Sequence, residues 1–393
     1  MTYIGIFGRR NCGKSSVINA LTLQDLAIVS DVPGTTTDPV RKTVEIFGMG
    51  PVVFVDTAGI DDAGALGDKR VKKSLDTIAK IDLGILVFSE NIWGNEEENI
   101  LKIFKDNGLP FVIVHNKSDI LLIYNNLKKS IEDKYQTKVF EFSAKNADKR
   151  GDFLELLAKI APPTQHSDNQ LFDGLVKEND IVLLITPCDS EAPTGRMILP
   201  QVQAIRSVLD QKAIVVDVLP EQVSASLAML KCQPAMVVTD SQAFAEVVKC
   251  LPKDQPLTSF SILLARQKGF FDKTIIGTKY ISQLKDGSKI LIMESCTHQT
   301  SCEDIGRVKL PNLLKKFTGK NLVFEFVSGL SPLPNDLNTF AMAIQCGGCM
   351  ATARQVNNRL QNCLNAGVQV SNYGMALAFC NGIFERAIAP LMP

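Results

Sequence analysis

Two short stretches carry side chains whose types and spacing could do chemistry. Near the start, GRRNCGKSS places Gly8, Gly13, Lys14 and Ser15 in the spacing GxxxxGK[ST]. Glycines at those positions let successive backbone N–H groups curl around phosphate oxygens. A lysine there reaches the β and γ phosphates, and the serine hydroxyl is a magnesium ligand. Far along the chain, AIQCGGCMAT sets Cys346 and Cys349 in a CxxC spacing. Such a pair fits a redox disulfide, half a zinc site or part of an iron–sulfur site, and the spacing does not choose among them.

The first stretch needs a strand before it and a helix after it, and the sequence supplies both. TYIGIF is a short apolar run, and SSVINAL continues with helix-compatible residues whose first N–H groups add positive field where phosphates would lie. Further apolar strands deliver the remaining parts. VVFVDTAG ends in Asp56, positioned to hold the metal through water, and Gly59, whose N–H meets a γ-phosphate. PFVIVHNKSD ends in Asn116, Lys117 and Asp119. A carboxylate at 119 accepts two hydrogen bonds from the guanine edge, adenine offers no such donor pair, and an unpaired carboxylate makes the wrong base costly. VFEFSAK brings Ser143, Ala144 and Lys145 to the base, and Ser16 follows Ser15 at the phosphate loop. The ligand expected is GTP or GDP with Mg2+.

These residues, in this order, resemble the translation-factor-related GTPases, most closely the branch containing Era and the tRNA-modifying protein MnmE. PGTTTDP at 33–39 looks like that branch's first switch, with Thr36 the best match for the magnesium-ligating threonine between Thr35 and Thr37. Ile60 follows DTAG where Ras-like proteins carry a water-orienting glutamine. Asn11 matches the asparagine that coordinates K+ in MnmE-like proteins. The resemblance implies slow, potassium-stimulated GTP hydrolysis, with Lys14, Asn11, Thr36 and Gly59 acting at the transferred phosphate.

A chain of 393 residues is long for a single core. The prolines of ELLAKIAPPT place a first boundary near residue 163, giving a GTPase domain over 1–163 and a linker over 164–179. From 180 to 262, DIVLLIT, PQVQAIRSVLD, AIVVDVL, SASLAMLK, PAMVVTD and SQAFAEVVKCL alternate apolar strands with helices, the pattern of a small parallel α/β sheet. A third unit, 263–393, is expected to be α/β or α+β. Within it SQLKDGSKILIMES and NDLNTFAMAIQ both read as helical, which counts against a thioredoxin-like setting for the CGGC. The whole is an α/β protein of three domains.

Charge is balanced, 42 basic against 42 acidic residues, and asks for no nucleic-acid or membrane partner. No apolar run reaches membrane-spanning length and the chain opens directly on a strand without a signal peptide, so a soluble, cytoplasmic protein is expected. In that compartment ten cysteines are not a disulfide framework. Cys188, Cys232, Cys250 and Cys380 read as core residues, whereas Cys296, Cys302, Cys346 and Cys349 cluster around CTH and CGGC.

Cys296 and His298 precede Cys346 and Cys349 by about fifty residues. C-x-H with C-x-x-C could form a Cys3His zinc tetrahedron, which would suit an RNA- or ribosome-assembly GTPase with a zinc-stabilised module. Balanced charge and the lack of a basic stripe count against that reading. A GTPase of this branch, an α/β domain, then CTH and CGGC in that order over the full length resembles the HydF-type FeFe-hydrogenase maturation GTPases. Their pattern is CxH, a long interval, then HCxxC, and here Gln345 stands where the second histidine is expected. The resemblance implies a 4Fe–4S cluster on Cys296, Cys346 and Cys349, with an exchangeable fourth ligand for which Glu303 stands ahead of His298, Asp304 or solvent. It further implies a di-iron subcluster precursor received from the radical-SAM maturases HydE and HydG and passed to apo-hydrogenase, and a homodimer formed through the middle domain.

Overall fold

A computed structural model describes residues 2–22, 41–46, 49–57, 77–162, 170–187, 197–295 and 304–392. The chain divides into two compact units, 1–168 and 169–393.

In the first unit, β1 (Thr2–Phe7), β2 (Arg41–Ile46), β3 (Gly50–Asp56), β4 (Leu83–Ser89), β5 (Phe111–Asn116) and β6 (Val139–Glu141) form one sheet in the order β2-β3-β1-β4-β5-β6. All neighbours are parallel except β2, which runs antiparallel to β3. Alternate residues feed two cores: Val52 and Phe54 pack on one face of β3, Val53 and Val55 on the other. A sheet covered on both faces explains the uninterrupted apolar runs, of which LGILVFS is buried at every position. From β1 the chain goes first to β3 on one side and later to β4 on the other. The carboxyl end of β1 is therefore where the winding reverses, the place at which open α/β sheets bind ligands.

The second unit holds two four-stranded sheets. β7 (Ile181–Ile185), β8 (Ile214–Val218), β9 (Met236–Thr239) and β10 (Leu257–Ser259) are ordered β10-β9-β7-β8, all parallel. The helices Leu199–Asp210, Val223–Met229 and Phe244–Cys250 fall in the intervals where the alternation places them. The other sheet joins β11 (Lys289–Met293), β12 (Val323–Val327), β13 (Phe340–Gln345) and β14 (Gln369–Asn372) in the order β12-β11-β13-β14, again all parallel. Leu183 and Val237 of one sheet share a continuous core with Leu291, Met293 and Ala343 of the other. The helix Phe260–Gln267 contributes Leu263 and Leu264 to it.

Two expectations for the last third are corrected. KILIM and FAMAIQ, read as helical, are the adjacent strands β11 and β13. Both are interior strands with covered faces, so neither shows the alternation that marks a half-exposed strand, and a short, fully buried run carries no period that separates strand from helix. Cys232, expected in the core, is exposed; Cys250 and Cys380 are half-buried and pack against the cores, and among the described residues the buried cysteines are Cys12 and Cys363. Cys188 lies outside the described residues.

Close packing in this unit depends on Gly277, in the helix Phe271–Thr278. A Cβ at 277 would overlap the carbonyl oxygen of Val370 in β14 and stand 2.7 Å from its backbone nitrogen. Alanine is favoured over glycine in a helix by about 1 kcal/mol. Overpacking typically costs about 1–3 kcal/mol, and here the obstacle is strand backbone, which cannot rotate away. The clash wins: Gly277→Ala is expected to lower the Tm of this unit by roughly 3–6 °C, measured by thermal melting.

Candidate nucleotide site and cysteine site

In the first unit every predicted base- or phosphate-binding residue that is described sits at or just beyond the carboxyl end of a parallel strand. β1 runs into the loop 8–13 and the helix Lys14–Thr22. The loop closes tightly because its glycines allow it. Gly8 (φ 149°) faces Val87 O, Gly13 (φ 90°) faces the Asn116 amide, and any side chain at either position would overlap them. Asn11 lies between them, exposed and left-handed at φ 60°. The Lys14 ammonium donates to Gly8 O at 3.0 Å and Arg9 O at 2.8 Å, so the loop's own carbonyls hold the cation at its mouth.

Ser15, in the first turn of the helix Lys14–Thr22, and Asp56, the last residue of β3, meet directly: Ser15 Oγ donates to Asp56 Oδ2 at 2.5 Å. The other carboxylate oxygen, Asp56 Oδ1, is buried without a hydrogen-bond partner. A hydroxyl beside a half-satisfied carboxylate is an oxygen donor set that fits Mg2+. Thr36 and Gly59, the other residues expected at the metal and γ-phosphate, lie outside the described residues.

Of the residues predicted to recognise the base, Asn116, Asp119, Ser143 and Ala144 are tied together by hydrogen bonds. Asn116, at the end of β5 and almost fully buried, donates through Nδ2 to Cys12 O at 3.0 Å and accepts from Ala144 N at 3.1 Å, tying the phosphate loop to the SAK loop. Asp119 Oδ1 accepts from Ser143 Oγ at 2.6 Å, which fixes the carboxylate's orientation and leaves its remaining acceptor capacity for a base. Lys117 pairs with Glu90 at 2.7 Å, and Ser16 and Lys145 are exposed. The hydrogen bond and charge of Lys117 hold the Glu90 carboxyl below its ordinary range.

One pairing here was not visible in the sequence. Arg9 Nε donates to Glu97 at 2.7 Å and Arg9 Nη2 to Glu96 at 2.6 Å, with Glu97 fully buried. Gly94 N also donates to Glu97. The acidic triplet of NEEEN reads locally as charge favouring a helix N-terminus. Its partner is 88 residues away, and the pair braces the outer edge of the phosphate loop.

In the second unit the CGGC loop leaves β13 at its carboxyl end, Cys346 N donating to Met293 O of β11 at 3.0 Å. Cys346 Sγ accepts from Ser295 N at 3.1 Å and from the Gln345 amide Nε2 at 3.3 Å. Burial pushes the Cys346 thiol up, while the Ser295 hydroxyl and then the N–H groups of Gly348 and Ser295 oppose that shift. N–H donors converging on one sulfur fit a metal-bound thiolate, whose charge they stabilise. Gly348 (φ 69°) has Val356 of the helix Ala353–Asn365 and Ser295 beside the place of a Cβ, which explains a glycine there. Cys349 is half-buried. Gln345, standing where a second histidine is expected, is fully buried, and its amide donates to Cys346 Sγ.

Around this loop lie further polar groups, of which the sequence singled out only Asp304. Glu294, buried at the end of β11, accepts from Arg307 at 3.1–3.4 Å and from Ser328 Oγ at 3.0 Å. Asp304 accepts from Arg307 N at 2.7 Å and Tyr373 OH is buried without a partner. Cys296, His298 and Glu303 lie outside the described residues. Among the described residues no three His, Cys, Asp or Glu side chains form a metal-holding group. Also among them, no helix is long and apolar enough to cross a membrane.

Comparison with known proteins follows the same division. Residues 3–117 match the family model described as 50S ribosome-binding GTPase. MnmE, the tRNA modification GTPase of Prochlorococcus marinus (strain NATL1A), is 36% identical over 166 residues, covering 41% of this chain and 35% of that protein. The GTPase Der of Kosmotoga olearia is 37% identical over 124 residues, covering 30% of this chain and 28% of its own length. The chain thus spans well under half the length of these curated relatives. Era of Aquifex aeolicus bound to GDP.AlF4- aligns at TM-score 0.38 and 19% identity, covering 63% of this chain and 97% of that one, a likeness too low to argue from. Residues 171–269 match the hydrogen maturase F dimerization domain and 272–390 its tetramerization domain. With a GTPase domain in front and two hydrogen maturase F domains covering more than half of its 393 residues, the chain belongs to the HydF-type maturation GTPases.

Proposed function

We propose that the protein is a GTP-hydrolysing scaffold for FeFe-hydrogenase maturation, holding a 4Fe–4S cluster on Cys296, Cys346 and Cys349 and carrying a di-iron precursor from HydE and HydG to apo-hydrogenase. The observation that carries the cluster reading is the set of N–H donors on Cys346 Sγ at the carboxyl edge of a parallel sheet, within a hydrogen maturase F domain. When bound, the cluster supplies an iron with an exchangeable corner, filled by Glu303 or His298. In the GTPase unit, the loop N–H groups and Lys14 hold the phosphates, and Ser15, Thr36 and Asp56 hold Mg2+. Asp119 selects guanine. Asn11 holds K+ near the transferred phosphate, and Gly59 donates to it; equal hydrolysis rates in potassium and sodium would remove the potassium role. GTP binding orders the switches and so biases contact with the maturases.

Association is also part of the proposal. β8 is an edge strand that exposes Ile214, and a second copy pairing along it would cover that edge. The test of the whole reading is anaerobic purification with metal analysis, followed by incubation with HydE, HydG and apo-hydrogenase. Iron and sulfide, with hydrogenase activation, are expected. Zinc in their place would favour an RNA- or ribosome-assembly GTPase.

A further inference from the structure

Arg359 is 9% exposed, inside the second unit. It stands on the buried face of the helix Ala353–Asn365 with Gln355, Val356 and Leu360. Val356, one turn earlier on that face, packs against the CGGC loop at Gly348. From this position the guanidinium reaches Gly329, just past the end of β12, to whose carbonyl oxygen Nη1 donates. Gly329 follows β12, the neighbour of β11, and just past the end of β11 Ser295 N donates to Cys346 Sγ. Arg359 Nε and Nη2 are buried with no hydrogen-bond partner. Burial pulls the guanidinium below its ordinary range, and the groups whose charge offsets this are Cys346 first and Cys363 second.

A buried cation with two unused donors is costly, because its lost hydration is not offset by a partner charge. An arginine in that condition fits a site whose anion arrives with a ligand. Cys346 as a neutral thiol does not supply the charge, whereas thiolates bound to iron and inorganic sulfide do, and they carry acceptors for N–H groups. The geometry points to Arg359 as the counter-charge of the cysteine site, its Nε and Nη2 donating to the anionic iron–sulfur unit when that unit is bound. This inference rests on the cluster reading above. It makes Arg359 a positioning residue that is unsatisfied in the empty protein and satisfied in the loaded one.

That reversal separates the role from ordinary packing. Arg359→Met keeps the chain length and removes the charge. In the metal-free protein it should melt no lower than wild type, because an unpaired buried charge has been removed. After anaerobic reconstitution with iron and sulfide, it should surrender iron to a chelator about 10- to 100-fold more readily than wild type. Its cluster should also have a more negative reduction potential, since a nearby positive charge favours the reduced form. Arg359→Lys should restore part of the potential. Equal potentials and equal chelator resistance in wild type and Arg359→Met would overturn the inference, whatever the melting curves show. Failure of the wild-type protein to take up iron and sulfide would overturn the cluster reading itself.

Discussion

Lys14→Ala is expected to reduce GTP hydrolysis by roughly 10²–10³-fold, on the scale found when one preorganised donor is removed from a transition state. The structure supplies the reason for so large an effect. The Lys14 ammonium is already held at the loop by Gly8 O and Arg9 O, 3.0 and 2.8 Å away, so little reorganisation is needed when phosphates enter. Charge develops on phosphate oxygens as the bond to the transferred group breaks, and the Lys14 ammonium stands at the loop's mouth to meet it. The loop's shape rests on Gly8, Gly13 and the Arg9–Glu97 pair, all intact in the variant. The change should therefore fall on phosphate chemistry and leave the fold unaltered. Phosphate release and the affinity for a fluorescent guanine nucleotide measure it, with thermal melting as the fold control. Hydrolysis within threefold of wild type would sink the assignment. Lys14→Arg should not rescue, because a planar guanidinium does not reproduce the compact ammonium that Gly8 O and Arg9 O hold.

The two sites differ in how far they could be read from the sequence, for a physical reason. A phosphate loop is local. Gly8, Gly13, Lys14 and Ser15 lie within eight residues, and their chemistry depends on backbone geometry that neighbouring residues dictate. The later parts follow apolar strands whose order in the chain is the order of the winding, so DTAG, NKSD and SAK could be assigned to one edge of one sheet. What supports them was hidden: Arg9 reads as a surface base and Glu97 as a helix-capping acid until the fold joins them. The middle sheet was legible because helices and strands alternate cleanly there. The cysteine sheet was not, because β11 and β13 are interior strands without alternation. Its polar shell was less legible still. Arg359 sits in VNNRLQN, a run that reads as solvated helix surface, and arginine is rarely buried without a partner. Gln345 reads in the sequence as the replacement of a histidine, and only the structure shows its amide on Cys346 Sγ.

Cys346→Ser, and the double change with Cys349→Ser, should abolish retention of a 4Fe–4S spectrum after anaerobic reconstitution. Serine keeps the shape and a hydrogen-bond acceptor but replaces a soft, polarizable ligand with a hard one that holds its proton at neutral pH. The donors from Ser295 N and Gln345 Nε2 can stabilise the charge of a thiolate, and they cannot make an alkoxide out of a hydroxyl. A loss caused by misfolding is excluded by comparison with Cys363, in the same sheet's covering helix. Cys363 is fully buried and its thiol is pushed up to about 11 by that burial, the state of a cysteine used for packing. Cys363→Ala should take up iron and sulfide as wild type does while melting lower, because truncation leaves a small cavity costing on the order of 1 kcal/mol. Cys346→Ser should do the reverse, melting near the metal-free wild type while losing the cluster. If Cys346→Ser and Cys349→Ser retain the spectrum together, the sulfur ligands lie elsewhere in the chain. If Cys363→Ala loses it, packing of the helix Ala353–Asn365, rather than ligation by the CGGC loop, governs uptake.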